Sequence, residues 1–308
     1  MSDWTATDLD LRSPKAPAPD RRLRLGSAEH RDLFCRTLLD TFNPYKPAVI
    51  DWPQLDPEAL GRLTALPIWN IAVQTEGKAS KRVKAYAELM ADDPILRRAV
   101  ELNAFEEARH KHVLSNLVLA YGIALEPEPE YRTPRDPEWA FMVTGFSECI
   151  DSFFAFGLFA LARRSGYFPE ALVETFEPVI HEEGRHILFF VNWAAWRRRN
   201  MAFWKRPWFE LRVIGVWLFL IWERIGIAGR IDGAAAQDNN FTVTGAKSVG
   251  LDVSLAELMD LCLAENDRRL GVYDNRLLRP RFVPAMVRLA RRLMRSPAAG
   301  APGEAVAA

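Results

Sequence analysis

The sequence holds only three cysteines in 308 residues, Cys35, Cys149 and Cys262. Odd in number and far apart, they exclude a disulfide framework, a CxxC redox pair and a zinc knuckle, and they suit a reducing cytoplasm. Excess charge is missing too: forty Lys and Arg balance forty Asp and Glu. No global field therefore recruits nucleic acid, and none is expected as a partner. The apolar run VIGVWLFLIW at 213–222 is about half of what crossing a bilayer requires. Strand-like alternation is scarce, its best example being residues 240–249. The N-terminus lacks an apolar signal-peptide core, so 1–26 reads as a disordered lead-in and 296–308 as a disordered tail.

What is present is helical periodicity. Apolar spacing predicts an all-α protein with long helices over 57–91, 94–121, 137–164 and 169–200. An N-terminal extension at 27–56 precedes this bundle and a C-terminal helical extension at 201–295 follows it. The breaks near ADDP and RRSGYFPE are short, so each joins antiparallel neighbours. The proline-rich stretch between the second and third helices, about 15 residues, spans ~50 Å when extended. That is enough to run back along a helix ~42 Å long, giving two hairpins joined by one long crossover.

Histidine is rare, with five in the chain, yet two close the same word: FEEARH at 105–110 and HEEGRH at 181–186. Two such pentads arise by chance on the order of once in 10⁵ to 10⁶ chains of this composition. In each, the second Glu and the His lie three residues apart, so Glu107 with His110 and Glu183 with His186 share a helix face and offer one oxygen and one nitrogen ligand. Two such pairs carry too little negative charge for two divalent ions, so each remaining helix is expected to add an inward carboxylate. Glu76 and Glu148 fit. Counted from the hairpin turns, all four glutamates stand at one level, ~23 Å along the helices.

In the order Glu76, Glu107-Ala-Arg-His110, Glu148, Glu183-Gly-Arg-His186, the chain resembles the ferritin-like di-iron carboxylate family over about 140 residues. The resemblance implies a ferritin-like four-helix bundle holding two Fe ions, with Mn or a mixed Mn/Fe pair as alternatives. Glu76, Glu107 and His110 would hold mainly one ion, and Glu148, Glu183 and His186 the other. Glu107 and Glu183 would bridge them and so stand closest to the chemistry. The pentad is also similar to that of acyl-carrier-protein desaturases and the hydroxylase components of bacterial multicomponent monooxygenases. By that resemblance Glu106 and Glu182 hydrogen-bond the far nitrogen of each metal-bound imidazole, and Arg109 and Arg185 neutralise the charge around them.

Other residues are given lesser parts. Asp151, one turn after Glu148, is expected to hydrogen-bond beside the iron. His112 and His181 fall off the ligand face. Val179 occupies the place where some N-oxygenases of this superfamily carry a third histidine, so that ligand and that substrate class are not carried over. Trp69 and Cys149 read as core. None of the six tyrosines lies within a turn of a ligand, which disfavours a tyrosyl-radical role.

Paired carboxylate-bound iron can store iron, remove peroxide, or oxidise C–H bonds with O2 as co-substrate. Storage ferritins resemble the bundle alone, and rubrerythrins carry a cysteine site that this chain lacks. Length and cysteines therefore favour an O2-dependent oxidoreductase of monooxygenase or desaturase type. No dinucleotide fingerprint, flavin motif or cysteine cluster is present, so an external electron donor, a ferredoxin or a reductase, is expected. Six of the ten tryptophans fall in 193–231. That segment favours a hydrophobic, lipid-like substrate such as a fatty acyl chain, on a helix that either packs on the bundle or lies on the inner face of a membrane. The basic amphipathic stretch at 281–296 is read as a solvated helix or a dock for an acidic donor or lipid headgroups. A homodimer is a further expectation. The competing readings are a manganese catalase or ferroxidase without an organic substrate, and a non-catalytic partner-binding scaffold.

Overall fold

The computed structural model describes residues 23–228 and 254–295. Helices α1 (Ala28–Asp40), α2 (Pro57–Thr64), α3 (Trp69–Ala87), α4 (Pro94–Ala120) and α5 (Pro137–Ser165) are followed by α6 (Glu170–Asn200), α7 (Arg206–Ala228), α8 (Leu255–Gly271) and α9 (Phe282–Arg295). The protein is all-α, with no strand among the described residues. The stretch 240–249, expected as a strand, and the tail 296–308 lie outside them, as does the lead-in up to residue 22. Residues 24–27 form a turn, with Ser27 N donating to the Arg24 carbonyl at 3.0 Å.

Side-chain oxygens fix where the helices start. Asp93 accepts from Leu96 N at the head of α4, and Asp136 accepts from Trp139 N at the head of α5. Each is followed by a proline at the first helical position, where a missing N–H costs nothing. Ser254 and Glu257 form a reciprocal capping box on α8. Proline also accounts for one departure from expectation. The single helix predicted over 57–91 is two, α2 and α3, parted at Pro67. A proline has no N–H to donate and bars the helical conformation at the residue before it, here Leu66.

Helices α3 and α4 form one hairpin and α5 and α6 another, with α3 packed along α5. On the α4–α6 face, residue 106 meets 185 and 186 while 109 and 110 meet 182. The pairing runs in opposite directions, so α4 and α6 are antiparallel and α4 and α5 parallel. The segment between α4 and α5 must then travel the length of the bundle, as its prolines and reach allow. Lys111 fastens it through Glu128.

Two apolar clusters close the ends. At one, Tyr86 stacks on Phe141 at 4.5 Å and Trp193 donates its indole N–H to the Tyr86 hydroxyl. At the other, Leu63, Trp69, Leu117 and Leu172 pack together. The midpoints of α3 to α6 lie between them. Helix α1 lies on α4 and α6, pinned where His30 Nε2 meets Asn192 Oδ1 at 2.9 Å. Helix α8 lies on α5, and Gly157 permits the close approach, since a Cβ there would stand 2.3 Å from Cys262 Sγ. Helix α5 is long and apolar enough to cross a bilayer. In this fold its apolar length packs against α3, α6, α7, α8 and α9.

Candidate metal centre

Both halves of the repeated pentad converge between the apolar clusters. Glu107, His110, Glu183 and His186 each offer a ligand atom, and these atoms all lie within 4.8 Å of one another. His110 Nδ1 stands 3.0 Å from Glu183 Oε1 and 3.7 Å from Glu76 Oε2, and His186 Nδ1 stands 2.8 Å from Glu107 Oε1. Despite these approaches, neither Nδ1 atom nor Glu107 Oε1 is aligned for a hydrogen bond. The buried Oε1 of Glu148 also lacks a partner. Buried polar atoms are nearly always satisfied, so a convergent group of orphaned nitrogen and oxygen atoms fits a metal ion. Imidazole and carboxylate are also the donors that first-row transition metals accept.

A second ring of residues holds the first, and it is crossed between the repeats. Glu182 accepts from Arg109 Nη2 at 2.6 Å and contacts His110 Nε2 at 2.9 Å. Glu106 accepts from Arg185 Nη2 at 2.6 Å and contacts His186 Nε2 at 2.9 Å. Each carboxylate thus serves the imidazole of the opposite repeat. With Glu106 and Glu182 as acceptors, both Nε2 atoms carry the proton and both Nδ1 lone pairs face the group.

The arginines are anchored by the N-terminal extension. Arg109 donates to the carbonyl of Asn43 at 2.6 Å, and Arg185 to that of Leu38 at 3.0 Å and to the Thr41 hydroxyl at 3.3 Å. Tyr45 lies over the Arg109 guanidinium and donates to Glu182 Oε2 at 3.4 Å. The segment from 38 to 45 therefore seals this side. On the other side Glu76 and Glu183 keep 20% and 13% of their side chains accessible, against 0% for both imidazoles. Glu76 and Glu183 are thus the members of the group that solvent reaches.

Electrostatics separates the two rings. Burial pushes the Glu107 carboxyl well above the usual range, and Glu183 and Glu76 add repulsion. Burial likewise raises Glu148, with Glu107 and Glu183 beside it. Burial opposes a charge on His110, yet Glu182, Glu183 and Glu76 prevail and lift it well above its ordinary value. Burial also works against ionised Glu106, but Arg185 and His186 hold it down at about 2. The outer ring is thus two Glu–Arg ion pairs, while in the inner group burial also resists ionised Glu183 but His110 and His186 hold it below its usual range.

Four of the six residues expected as ligands form the compact group, Glu76 reaches His110 at its edge, and Glu148 adds an unpaired buried oxygen. Asp151 stands elsewhere: it pairs with Arg224 of α7 at 2.9 Å and accepts from Ser147 at 2.8 Å. The expectation that it supports the iron is corrected on that ground. His181 contacts the Tyr273 hydroxyl at 3.0 Å, and burial with Arg185 and Arg269 nearby pushes it down to about 4. Trp69 and Cys149 are buried among apolar side chains. Tyr45 was not singled out from sequence, because it lies more than sixty residues from either pentad.

No family model, no curated protein and no solved structure matches the chain.

Proposed function

We propose that this chain is a ferritin-like di-iron oxidoreductase that uses dioxygen to hydroxylate, desaturate or insert oxygen into a hydrophobic, lipid-like substrate, with electrons drawn from a separate donor protein. The observation that carries this reading is the crossed pairing of the two pentads, in which each imidazole is oriented by the other repeat while its Nδ1 stays unpaired. Iron held by Glu76, Glu107, His110, Glu148, Glu183 and His186 would supply the redox chemistry that oxidation of an unactivated C–H bond by dioxygen requires.

The chain's own residues set the conditions. Ionised Glu76, Glu107, Glu148 and Glu183 carry four negative charges, matching two divalent cations, because the Glu106–Arg185 and Glu182–Arg109 pairs already cancel each other. Glu107 reaches His186 and Glu183 reaches His110, so each carboxylate spans to the opposite repeat and would be placed to share an ion with it. The Nε2–H groups of His110 and His186 donate to Glu182 and Glu106, which fixes the tautomer and the ring plane. The segment from Leu38 to Tyr45 excludes water from that flank, leaving the Glu76 and Glu183 side for dioxygen and substrate. Buried Phe156 of α5 approaches Gly184, beside Glu183, in keeping with apolar surroundings for the substrate.

The test begins with metal analysis of protein produced with iron and manganese both present. Two metals per chain are expected, lost in Glu107→Ala and Glu183→Ala. Absence of metal from the parent protein overturns the reading. Anaerobic reduction followed by oxygen should give reoxidation that consumes donor electrons, whereas peroxide dismutation without a donor assigns the centre to a catalase. Lipid extracts from cells with and without the chain should differ by an oxidised species.

A further inference from the structure

The C-terminal helices carry a surface that the metal centre does not use. On α7 and the turn before it, Trp204, Trp208, Leu211, Leu218 and Trp222 are each more than half exposed. At 100° per residue these five positions fall within an arc of about 80°. Ile214 and Ile221 widen the same face, and no charged residue interrupts it between 204 and 222. The opposite face holds α7 on the bundle through buried Phe209, Val216 and Leu220.

Helix α9 has the same division. Val283 and Val287 are buried against Phe153 and Cys262, while Phe282, Met286, Leu289 and Leu293 stand about half exposed or more. Those four positions share an arc of about 60°. The two helices touch at the inner edge of these stripes, where Trp217, partly buried on α7, meets Phe282 of α9 with ring centroids 4.4 Å apart. An apolar surface running across two helices is larger than the scattered exposed residues of an ordinary surface.

Its border is basic. Helix α9 carries four arginines and no acidic residue. Arg279, Arg281 and Arg288 line a cleft of about 330 Å³ along its first turns, where Asp267 is the acidic neighbour, 3.5 Å from Arg288. At the start of α7 the stretch 197–206 holds Arg197, Arg198, Arg199, Lys205 and Arg206, of which Arg197 pairs with Glu138 and Arg198 with Glu210. Exposed tryptophans on an apolar helix face, with cations at the edge, match the two layers of a lipid surface: acyl chains below and anionic headgroups above.

We infer that the joined faces of α7 and α9 dock the protein on an anionic phospholipid bilayer, with α7 and α9 lying in the interface plane. The tryptophans and leucines enter the acyl boundary, and Lys205, Arg281 and Arg288 meet phosphate groups. This inference is independent of the metal centre.

Sedimentation of the full chain with phosphatidylcholine vesicles containing one third phosphatidylglycerol tests it. Binding is expected, with a blue shift of tryptophan emission, and it should weaken at least tenfold on vesicles of phosphatidylcholine alone. The double variant Trp208→Glu/Leu218→Glu should lose binding while its circular dichroism and thermal midpoint stay those of the parent. Arg281→Glu should weaken binding to anionic vesicles by about fivefold or more, in line with about 1 kcal/mol for each basic residue near the surface. No binding to anionic vesicles overturns the inference, as it would if residues 229–253 or a second copy occupied the face. Equal binding by the double variant, or equal binding to neutral vesicles, overturns it as well. A dimer in solution that the double variant dissolves would assign the face to self-association instead.

Discussion

The Glu182 carboxylate, on α6, sits 2.9 Å from the Nε2 of His110, on α4, although the two residues are 72 apart in the chain. Glu106 makes the same contact with His186 across 80 residues. The repeated pentads therefore do not build two separate half-sites. Each builds the support of the other.

Replacing Glu182 by Gln keeps the shape of this support but removes the charge that orients His110. Metal affinity is expected to fall about 10- to 100-fold, as measured by competition with a chelator. The Arg109 guanidinium would also lose its 2.6 Å carboxylate partner where both side chains are buried from solvent. Unchanged affinity would show that the carboxylate does not set the imidazole.

The metal-free protein should be more stable in mild acid than in base. Folded Glu107 and Glu148 hold their protons well above the ordinary value of 4.5, so the folded state binds more protons than the unfolded one as pH rises past that value. Stability then falls with rising pH. The raised His110 acts in the same sense above 6.5. Glu106 acts oppositely: its contribution is present above 4.5 and fades as pH drops toward about 2. The lowered His181 also acts oppositely, between about 4 and 6.5, so thermal midpoints of chelator-treated protein should decline from about pH 6.5 to about pH 8. Metal affinity should increase over the same range, because bound ions displace those protons. A flat profile would argue against buried, repelling carboxylates.

Glu107→Gln should separate function from stability. It removes a group that resists ionisation in the folded state, and at about pH 8 the metal-free variant is expected to gain about 1 kcal/mol over the parent while losing metal. Urea denaturation with metal analysis on the same samples checks both halves. A variant that still loads metal would displace Glu107 from the ligand set.

Asp151 and Arg224 form a partly exposed pair, with side chains 36% and 18% accessible. Asp151→Asn should cost no more than about 1 kcal/mol and leave metal content unchanged. Loss of metal in this variant would return Asp151 to the centre.

Gly145 of α5 faces Phe190 of α6 so closely that an added Cβ would lie 2.1 Å from the ring. Gly145→Val should destabilise the chain by about 1–3 kcal/mol, read by chemical denaturation, through separation of the second hairpin. A neutral effect would mean that the two helices can part without cost.

The ligand group was legible in sequence because a helix has a fixed rise and turn. Spacing of three put Glu107 with His110, and counting from the turns brought Glu76 and Glu148 to the same level. The same arithmetic failed for Asp151, since its position is decided by Arg224, 73 residues away on a helix whose placement no local pattern encodes. The swap of Glu106 and Glu182 between repeats depends on the antiparallel crossing of α4 and α6, which periodicity does not specify. The seal at Leu38 and Asn43 was equally hidden, reaching Arg185 and Arg109 across 147 and 66 residues. Pro67 could have been read, being a helix breaker inside a segment taken as continuous.

The exchange of partners between the pentads makes the centre a record of assembly. A nascent chain released only as far as α4 has His110 without Glu182 and Arg109 without its carboxylate, so it cannot present an oriented imidazole to any ion it meets. An ion held by both repeats would have to wait until the middle of α6 has docked on α4, with residue 38 tied to residue 185. A chain truncated before α6 is therefore expected to bind no metal at this group, which metal analysis of such a fragment checks.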